Sequence, residues 1–311
     1  MDAGLNTGLI EQLDGAPKER GGEVAIGARH LTFAYPGCEP VLSSVSAQIY
    51  KGQRVGVIGH NGCGKTTLFM LLCGMLTPTS GEIDLFDQRV VTGQFRPEVG
   101  LLFQDPDDQL FSPSVRDDIA FGPQNMGLET EEVAQRVDLA LKTTGLSALA
   151  GRAPHHLSGG EKQMVAIAGL LAMQPQLMLY DEPTASLDMR TRRRLIGFLQ
   201  KAPETMLISS HDLEFILEVC DRVLLIDEGC IVADGDPVEI MGNQSLMEAH
   251  GLEKPHSLIP HVEPHHRRLV ADEPNMLVNP TERQSDLGER FASKKAQAHK
   301  DTVRNNAKAD M

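Results

Sequence analysis

At 311 residues the chain is long enough for one large domain or two small ones, and 41% hydrophobic with 23% charged residues is an ordinary globular mix. Its 43 acidic against 29 basic residues leave a net charge of −14, which argues against a surface that follows nucleic-acid phosphates, and the 4% aromatic content without tryptophan removes the usual base-stacking platform. The longest apolar run, Val165 to Met173, is nine residues, well short of the ~18–20 that a membrane span needs.

In chain order, residues 1–22 form an N-terminal lead of acids and glycines without a basic start and apolar stretch, so no secretory signal is expected and the chain is placed in the cytosol. Val24 to Ile49 alternates around a Tyr35-Pro36-Gly37 turn and, with Glu82 to Val91, predicts an antiparallel β annex. Four short apolar runs, Arg54 to Ile58, Leu177 to Tyr180, Met206 to Ser209 and Val223 to Ile226, are each expected to lead through a turn into a helix, which implies a parallel sheet covered on both faces. Thr67 to Met75, Thr130 to Thr143 and Glu161 to Met173 fit helices, so about 104–173 reads as a helical subdomain inserted into an α/β core. A domain over 23–254 is then followed by a proline-interrupted polar tail, 255–311, expected to be flexible. The tail's His256, His261, His265 and His266 are irregularly spaced around prolines, which favours a solvated linker over a metal site. The five cysteines form no C-x-x-C pair and are expected as reduced thiols.

Three motifs carry chemistry. Gly59-His60-Asn61-Gly62-Cys63-Gly64-Lys65-Thr66, followed by Thr67, fits the phosphate-loop pattern between an apolar strand and a helix. Its glycines let backbone N–H groups turn toward a phosphate, Lys65 would reach the β- and γ-phosphates, and the Thr66 hydroxyl would ligate Mg²⁺. Cys63, beside Lys65 and a helix N-terminus, is expected to have an acidified thiol, the alternative being a small packing residue. The second motif, Leu177 to Glu182, is an apolar strand ending in two acids; adjacent residues face opposite ways, so Asp181 would hold Mg²⁺ and Glu182 would act as general base toward water. The third, Leu157-Ser158-Gly159-Gly160-Glu161-Lys162-Gln163, contains an S-x-x-E capping box, but the box leaves Gly159 and Gly160 unexplained, and paired glycines in a first turn open N–H groups to an anion.

With Gln104 after an apolar run, Ser186-Leu187-Asp188 and His211 after MLISS, these motifs resemble the ATP-binding-cassette ATPases over about residues 24–250. The resemblance implies a phosphate-loop nucleotidase core using ATP and Mg²⁺. Tyr35 resembles the aromatic that stacks on adenine, Gln104 the residue linking Mg²⁺ and water to the transport partner, and His211 the switch at the γ-phosphate. Ser158, Gly159 and Gly160 resemble the signature that binds nucleotide on the opposite subunit, which implies a second ATPase chain, identical or related. A narrower resemblance, over Leu101 to Leu128, Pro154-His155-His156 and the LEKPHSL segment, is to the ATPases of energy-coupling-factor importers, especially the cobalt and nickel branch. That implies a motor at the cytoplasmic face of the cell membrane, a transmembrane coupling protein and a separate substrate-binding membrane protein. Vitamin import and a non-transporting soluble cassette are the alternatives. Asp105, Asp107 and Asp108 beside Leu110 and Phe111 are expected to offer carboxylates and an apolar patch to the coupling protein.

Overall fold

The computed structural model describes residues 22–185 and 187–259. The N-terminal lead up to residue 21, Ser186, and the tail from residue 260 lie outside the described residues, as do His261, His265 and His266; His256 lies in a short 3₁₀ turn, His256–Leu258.

The strands in chain order are β1 (Val24–Ala34), β2 (Pro40–Tyr50), β3 (Arg54–Ile58), β4 (Ser80–Leu85), β5 (Gln88–Arg89), β6 (Val99–Leu102), β7 (Leu177–Asp181), β8 (Thr205–Ser209), β9 (Arg222–Asp227) and β10 (Cys230–Gly235). The helices are α1 (Lys65–Leu72), α2 (Val115–Asn125), α3 (Thr130–Thr144), α4 (Gly159–Ala172), α5 (Met189–Leu199), α6 (Leu213–Val219), α7 (Pro237–Gly242) and α8 (Gln244–Ala249). They build a mixed α/β fold with two sheets. One is antiparallel, in the order β2-β1-β4-β5; the other runs β10-β9-β3-β8-β7-β6 and is parallel except for β10.

Strands β7 and β8 are buried along their whole length, as expected for central parallel strands covered on both faces. Alternation then decides which core each side chain joins. Leu177, Leu179, Leu207, Val55 and Val57 enter a cluster with Leu68 and Leu72 of α1 and with Ile26, Leu31 and Ile49 of the antiparallel sheet. Met178, Tyr180, Met206 and Ile208 enter the other cluster, with Val115, Val137, Val165, Leu195 and Phe215 from α2 to α6. Between β6 and β7 the described chain is helical or looped throughout, with α4 packed against both α2 and α3.

One expectation is corrected. Val223 to Ile226 does not lead into a helix: β9 turns at Glu228-Gly229 and returns as β10, antiparallel to it. Glu228 and Gly229 both adopt positive φ, 45° and 74°, the geometry of a tight hairpin. The apolar run is the same for either outcome, and only the two turn residues carry the difference.

Candidate active site

The phosphate loop leaves the carboxyl end of β3 and enters α1, with Gly64 at φ 110° as the residue before the helix. Gly59, at φ 152°, is required by packing as well as conformation, because a Cβ there would lie 2.2 Å from the carbonyl oxygen of Ile226. Lys65 is buried, and its Nζ donates to the carbonyls of Gly59 at 2.8 Å and His60 at 3.0 Å. Among the described residues this ammonium has no carboxylate partner; besides the two carbonyls its only hydrogen-bond partner is the Cys63 sulfur at 3.8 Å.

The two acids separate as their alternation requires. Asp181, at the end of β7, accepts a hydrogen bond from the Thr66 hydroxyl on Oδ2 at 2.6 Å and from the Ser209 hydroxyl on Oδ1 at 2.5 Å. Glu182 follows in a left-handed conformation, φ 49°, uncommon for a side chain of this size. Its N–H donates to the carbonyl and to the hydroxyl of Ser209, 3.1 Å each, so the turn is held from the end of β8. That conformation carries the Glu182 carboxylate to His211, whose backbone N–H donates to Oε2 at 3.1 Å and whose Nε2 stands 3.1 Å from Oε1. The second approach is not aligned as a hydrogen bond and leaves Oε1 without a donor. Strain of this kind is found where a side chain must be aimed.

A cleft of about 220 Å³ is lined by Asn61, Gly62, Gly64, Lys65, Thr66, Thr67, Gln104, Asp181, Glu182 and His211, together with Val41. Ten positions singled out from sequence motifs therefore meet at the carboxyl edge of β3, β7 and β8, which are neighbours in the sheet. Gly59, His60 and Cys63 belong to the same loop behind that lining. Tyr35 is 40% exposed, packs edge-to-face on Phe33, and its hydroxyl stands 3.4 Å from the Thr67 hydroxyl.

Ser158, Gly159 and Gly160 are not brought to this cleft. Ser158 caps α4 with both halves of the capping box present: its hydroxyl accepts from the N–H of Glu161 at 3.3 Å, and the Glu161 carboxylate accepts from the N–H of Ser158 at 2.8 Å. The Ser158 hydrogen bonds hold the Glu161 carboxyl below its ordinary range. Gly160 opens on another hollow, of about 210 Å³, with Gly145, Leu146, Thr191 and Arg194.

Two further expectations change. Cys63 is 2% exposed, and burial pushes its thiol up, outweighing the nearby Lys65 charge that acts in the opposite direction. It is a packing residue, because the helix terminus that would acidify it is reached only at the cost of solvent. The acidic patch is partly used internally: Asp105 accepts from the N–H of Asp107 at 2.9 Å to cap a 3₁₀ turn, and Asp107 pairs with Lys162 of α4 at 2.6 Å. Asp108 stays exposed and unpaired among the described residues; three residues on, Phe111 is 65% exposed and stacks edge-to-face at 4.7 Å on Phe121, itself 47% exposed. Sequence reasoning missed Val41 and Ser209. The signal for Ser209 was a polar residue closing the apolar run Met206 to Ile208; Val41 had none.

A further cavity, about 810 Å³, lies at the opposite, amino edge of the sheet and is lined by Phe86, Arg136, Leu139 and Phe198 among others.

Residues 42–185 match the family model described as ABC transporter. A Synechocystis protein assigned by its name to the ABC transporter ATP-binding proteins is 62% identical over 234 residues, covering 75% of this chain and 82% of that one. The energy-coupling factor transporter ATP-binding protein EcfA of Methanothermobacter thermautotrophicus is 45% identical over 235 residues, covering 73% of this chain and 76% of its own. Among solved structures, cbiO1 of Clostridium perfringens, part of the ABC transporter complex cbiONQ, superposes with a TM-score of 0.66 at 34% identity, over 73% of this chain and 94% of that one. The chain belongs to the ABC transporter ATP-binding proteins, the ATPases that couple ATP hydrolysis to transport.

Proposed function

We propose that the chain is the ATP-hydrolysing motor of an energy-coupling-factor importer for cobalt or nickel ions. The observation that carries the motor chemistry is the single cleft in which Lys65, Thr66, Gln104, Asp181, Glu182 and His211 converge. The residues suit Mg²⁺: the Thr66 hydroxyl, the Asp181 carboxylate and the Gln104 amide are hard oxygen donors in one place, with the first two already in contact. Bound with ATP, the ion would neutralise charge on the terminal phosphates. Lys65 holds the β- and γ-phosphates with the loop N–H groups. Glu182, aimed by its left-handed backbone, takes the proton of the attacking water, and His211 is both its neighbour and the contact to the γ-phosphate. Tyr35 offers its ring to adenine.

The separation of Gly160 from this cleft supports a shared site, in which Ser158, Gly159 and Gly160 of a second ATPase subunit complete the nucleotide site of the first. The partners are then that second subunit, a transmembrane coupling protein and a substrate-binding membrane protein, with the motor peripheral at the cytoplasmic face. Asp108 with Phe111 and Phe121 is the surface offered to the coupling protein. No helix among the described residues is long and apolar enough to cross a membrane, in keeping with a motor that relies on partners for the passage itself. The likeness to EcfA and to cbiO1 supports the importer class, and the stretches Leu101 to Leu128 and Pro154 to His156 support the metal branch. Isolation of the assembly from membranes, followed by metal and vitamin analysis of the bound solute, tests the reading. Cobalt or nickel supports it, a vitamin redirects it within the class, and absence of membrane partners removes it.

A further inference from the structure

Asp227, the last residue of β9, stands where two histidines from distant parts of the chain converge. Its Oδ1 lies 2.9 Å from Nε2 of His60 in the phosphate loop, and its Oδ2 lies 2.6 Å from Nδ1 of His250, directly after α8. The other ring nitrogen of His60 is 2.7 Å from the carbonyl of Asn61, so the ring is hydrogen-bonded on one side and faces the Asp227 carboxylate on the other. The His250 hydrogen bond is the main cause holding the Asp227 carboxyl below its ordinary range, aided by the Glu228 N–H and the nearness of His60.

The backbone on either side of Asp227 packs against the phosphate loop and against a residue that lines the nucleotide cleft. On one side the carbonyl of Ile226 packs on Gly59 so closely that no Cβ fits there. On the other, Gly229 at φ 74° would place a Cβ 2.5 Å from the carbonyl of Val41, a residue lining the cleft, and the Gly229 carbonyl accepts from the N–H of Ser43 at 2.9 Å. His250 is itself anchored from below. Met241 of α7 and Met247 of α8 are fully buried, and past α8 the Ser257 hydroxyl donates to Glu214 of α6 at 2.6 Å.

We propose that Asp227 and His250 are positioning residues for the phosphate loop, Asp227 by fixing His60 and with it the backbone from Gly59 to Asn61, and His250 by holding the Asp227 carboxylate in that aim. ATP affinity is thereby tied to the seating of α7 and α8, the last helices before the tail. The proposal rests on the reading of the loop as the ATP phosphate cradle. Neither residue lines the cleft, so both act through His60. Asn61 and Gly62 do line it, whereas the water-activating Glu182 is held from β8. Loss of the tether therefore weakens nucleotide binding and leaves the chemical step alone.

The test uses the full chain, with MgATP affinity measured by displacement of a fluorescent ATP analogue, KM and kcat by steady-state hydrolysis, and thermal unfolding in parallel. Asp227→Ala should weaken MgATP binding and raise KM by about fivefold, the order expected for one part-exposed ion-pair contact, with kcat within about twofold of wild type. His250→Ala should weaken it by about threefold and add nothing in the Asp227→Ala background, since both act through one carboxylate. His250→Asn, whose amide can donate where Nδ1 stands, should recover most of the affinity. If Asp227→Ala does not fold, Asp227→Asn, which keeps the shape and loses the charge, should show the same split with a smaller effect. Unchanged affinity in both Asp227 variants would overturn the proposal. So would a His250 effect undiminished without Asp227, or a fall in kcat and affinity together that follows lost thermal stability. A wild-type chain that fails to bind MgATP would instead overturn the reading beneath it, and the proposal with it.

Discussion

The hydroxyl of Thr66 donates to Oδ2 of Asp181 at 2.6 Å across 115 positions of sequence, which joins the helix after the phosphate loop to the end of a strand two places away in the sheet. The other oxygen of the same carboxylate is taken by Ser209 of the intervening strand. Thr66→Ala and Asp181→Asn should each remove the gain in ATP affinity that Mg²⁺ confers, measured as the ratio of affinities with Mg²⁺ and with a chelator. Ser209→Ala should reduce that ratio less, because it frees the carboxylate without deleting it. A ratio unchanged in Asp181→Asn would take the metal role away from this residue.

Glu182→Gln keeps the side-chain shape and removes the proposed base. Turnover should fall by ~10² to 10⁴, the usual worth of general-base assistance, while MgATP affinity stays near that of wild type. Lys65→Ala should do the reverse and weaken binding. Single-turnover hydrolysis and nucleotide binding, measured on the same samples, separate the two, and near-normal turnover of Glu182→Gln would assign the base elsewhere.

Gly160 opens on a hollow other than the phosphate-loop cleft, and the proposed shared site, completed by a second subunit, can be tested by mixing variants. Lys65→Ala and Ser158→Arg should each be inactive alone, yet a mixture should regain hydrolysis from the one site per mixed dimer that carries neither substitution. No recovery in a mixture shown to dimerise, or full activity of a strictly monomeric chain, would count against the shared geometry.

The thiols divide by burial. Cys38 and Cys230 are exposed and Cys63 and Cys220 are buried, with burial pushing both buried thiols above their ordinary range. A raised value means less thiolate at neutral pH in the folded chain than in the unfolded one, which adds chemical protection to steric protection. Brief maleimide treatment should label Cys38 and Cys230 first and reach Cys63 and Cys220 only on unfolding; rapid native labelling of Cys63 would contradict the packing role.

Glu82 of β4 is held down to about 2 from its ordinary 4.5, first by the Arg89 side-chain hydrogen bond and then by that of Arg29. A depressed carboxyl stabilises the fold above its unfolded value and loses that contribution as pH falls from about 4.5 toward 2. The cluster is on the surface and screened, so the effect is small and salt-dependent. Unfolding midpoints of Glu82→Gln and wild type should therefore differ at neutral pH and low salt and converge in acid, while a constant offset across the range would show that the charge is not responsible.

Much of the site was legible because its groups are carried by contiguous motifs whose meaning is local. A glycine-rich loop between strand and helix, an apolar strand closed by Asp181 and Glu182, and a capping box at Ser158 can each be read within a few residues. What escaped were groups whose role depends on a neighbour distant in sequence. Ser209 orients Asp181 only because β8 lies beside β7, and Val41 reaches the cleft only through the edge of the antiparallel sheet.

By itself, then, the sequence determined the phosphate loop, the pair of acids, the alternating runs that make buried strands, and the family to which they belong, since hydrophobic period and backbone conformation at glycine are properties of short segments. The tertiary structure alone decided the rest. It turned Val223 to Ile226 into a hairpin rather than a crossover, buried Cys63 so that desolvation outweighed the cation beside it, paired Asp107 with Lys162, and set Asp227 between His60 and His250. Each of these rests on how much water is excluded and on which charge arrives from another element, and neither quantity exists until the chain has closed on itself.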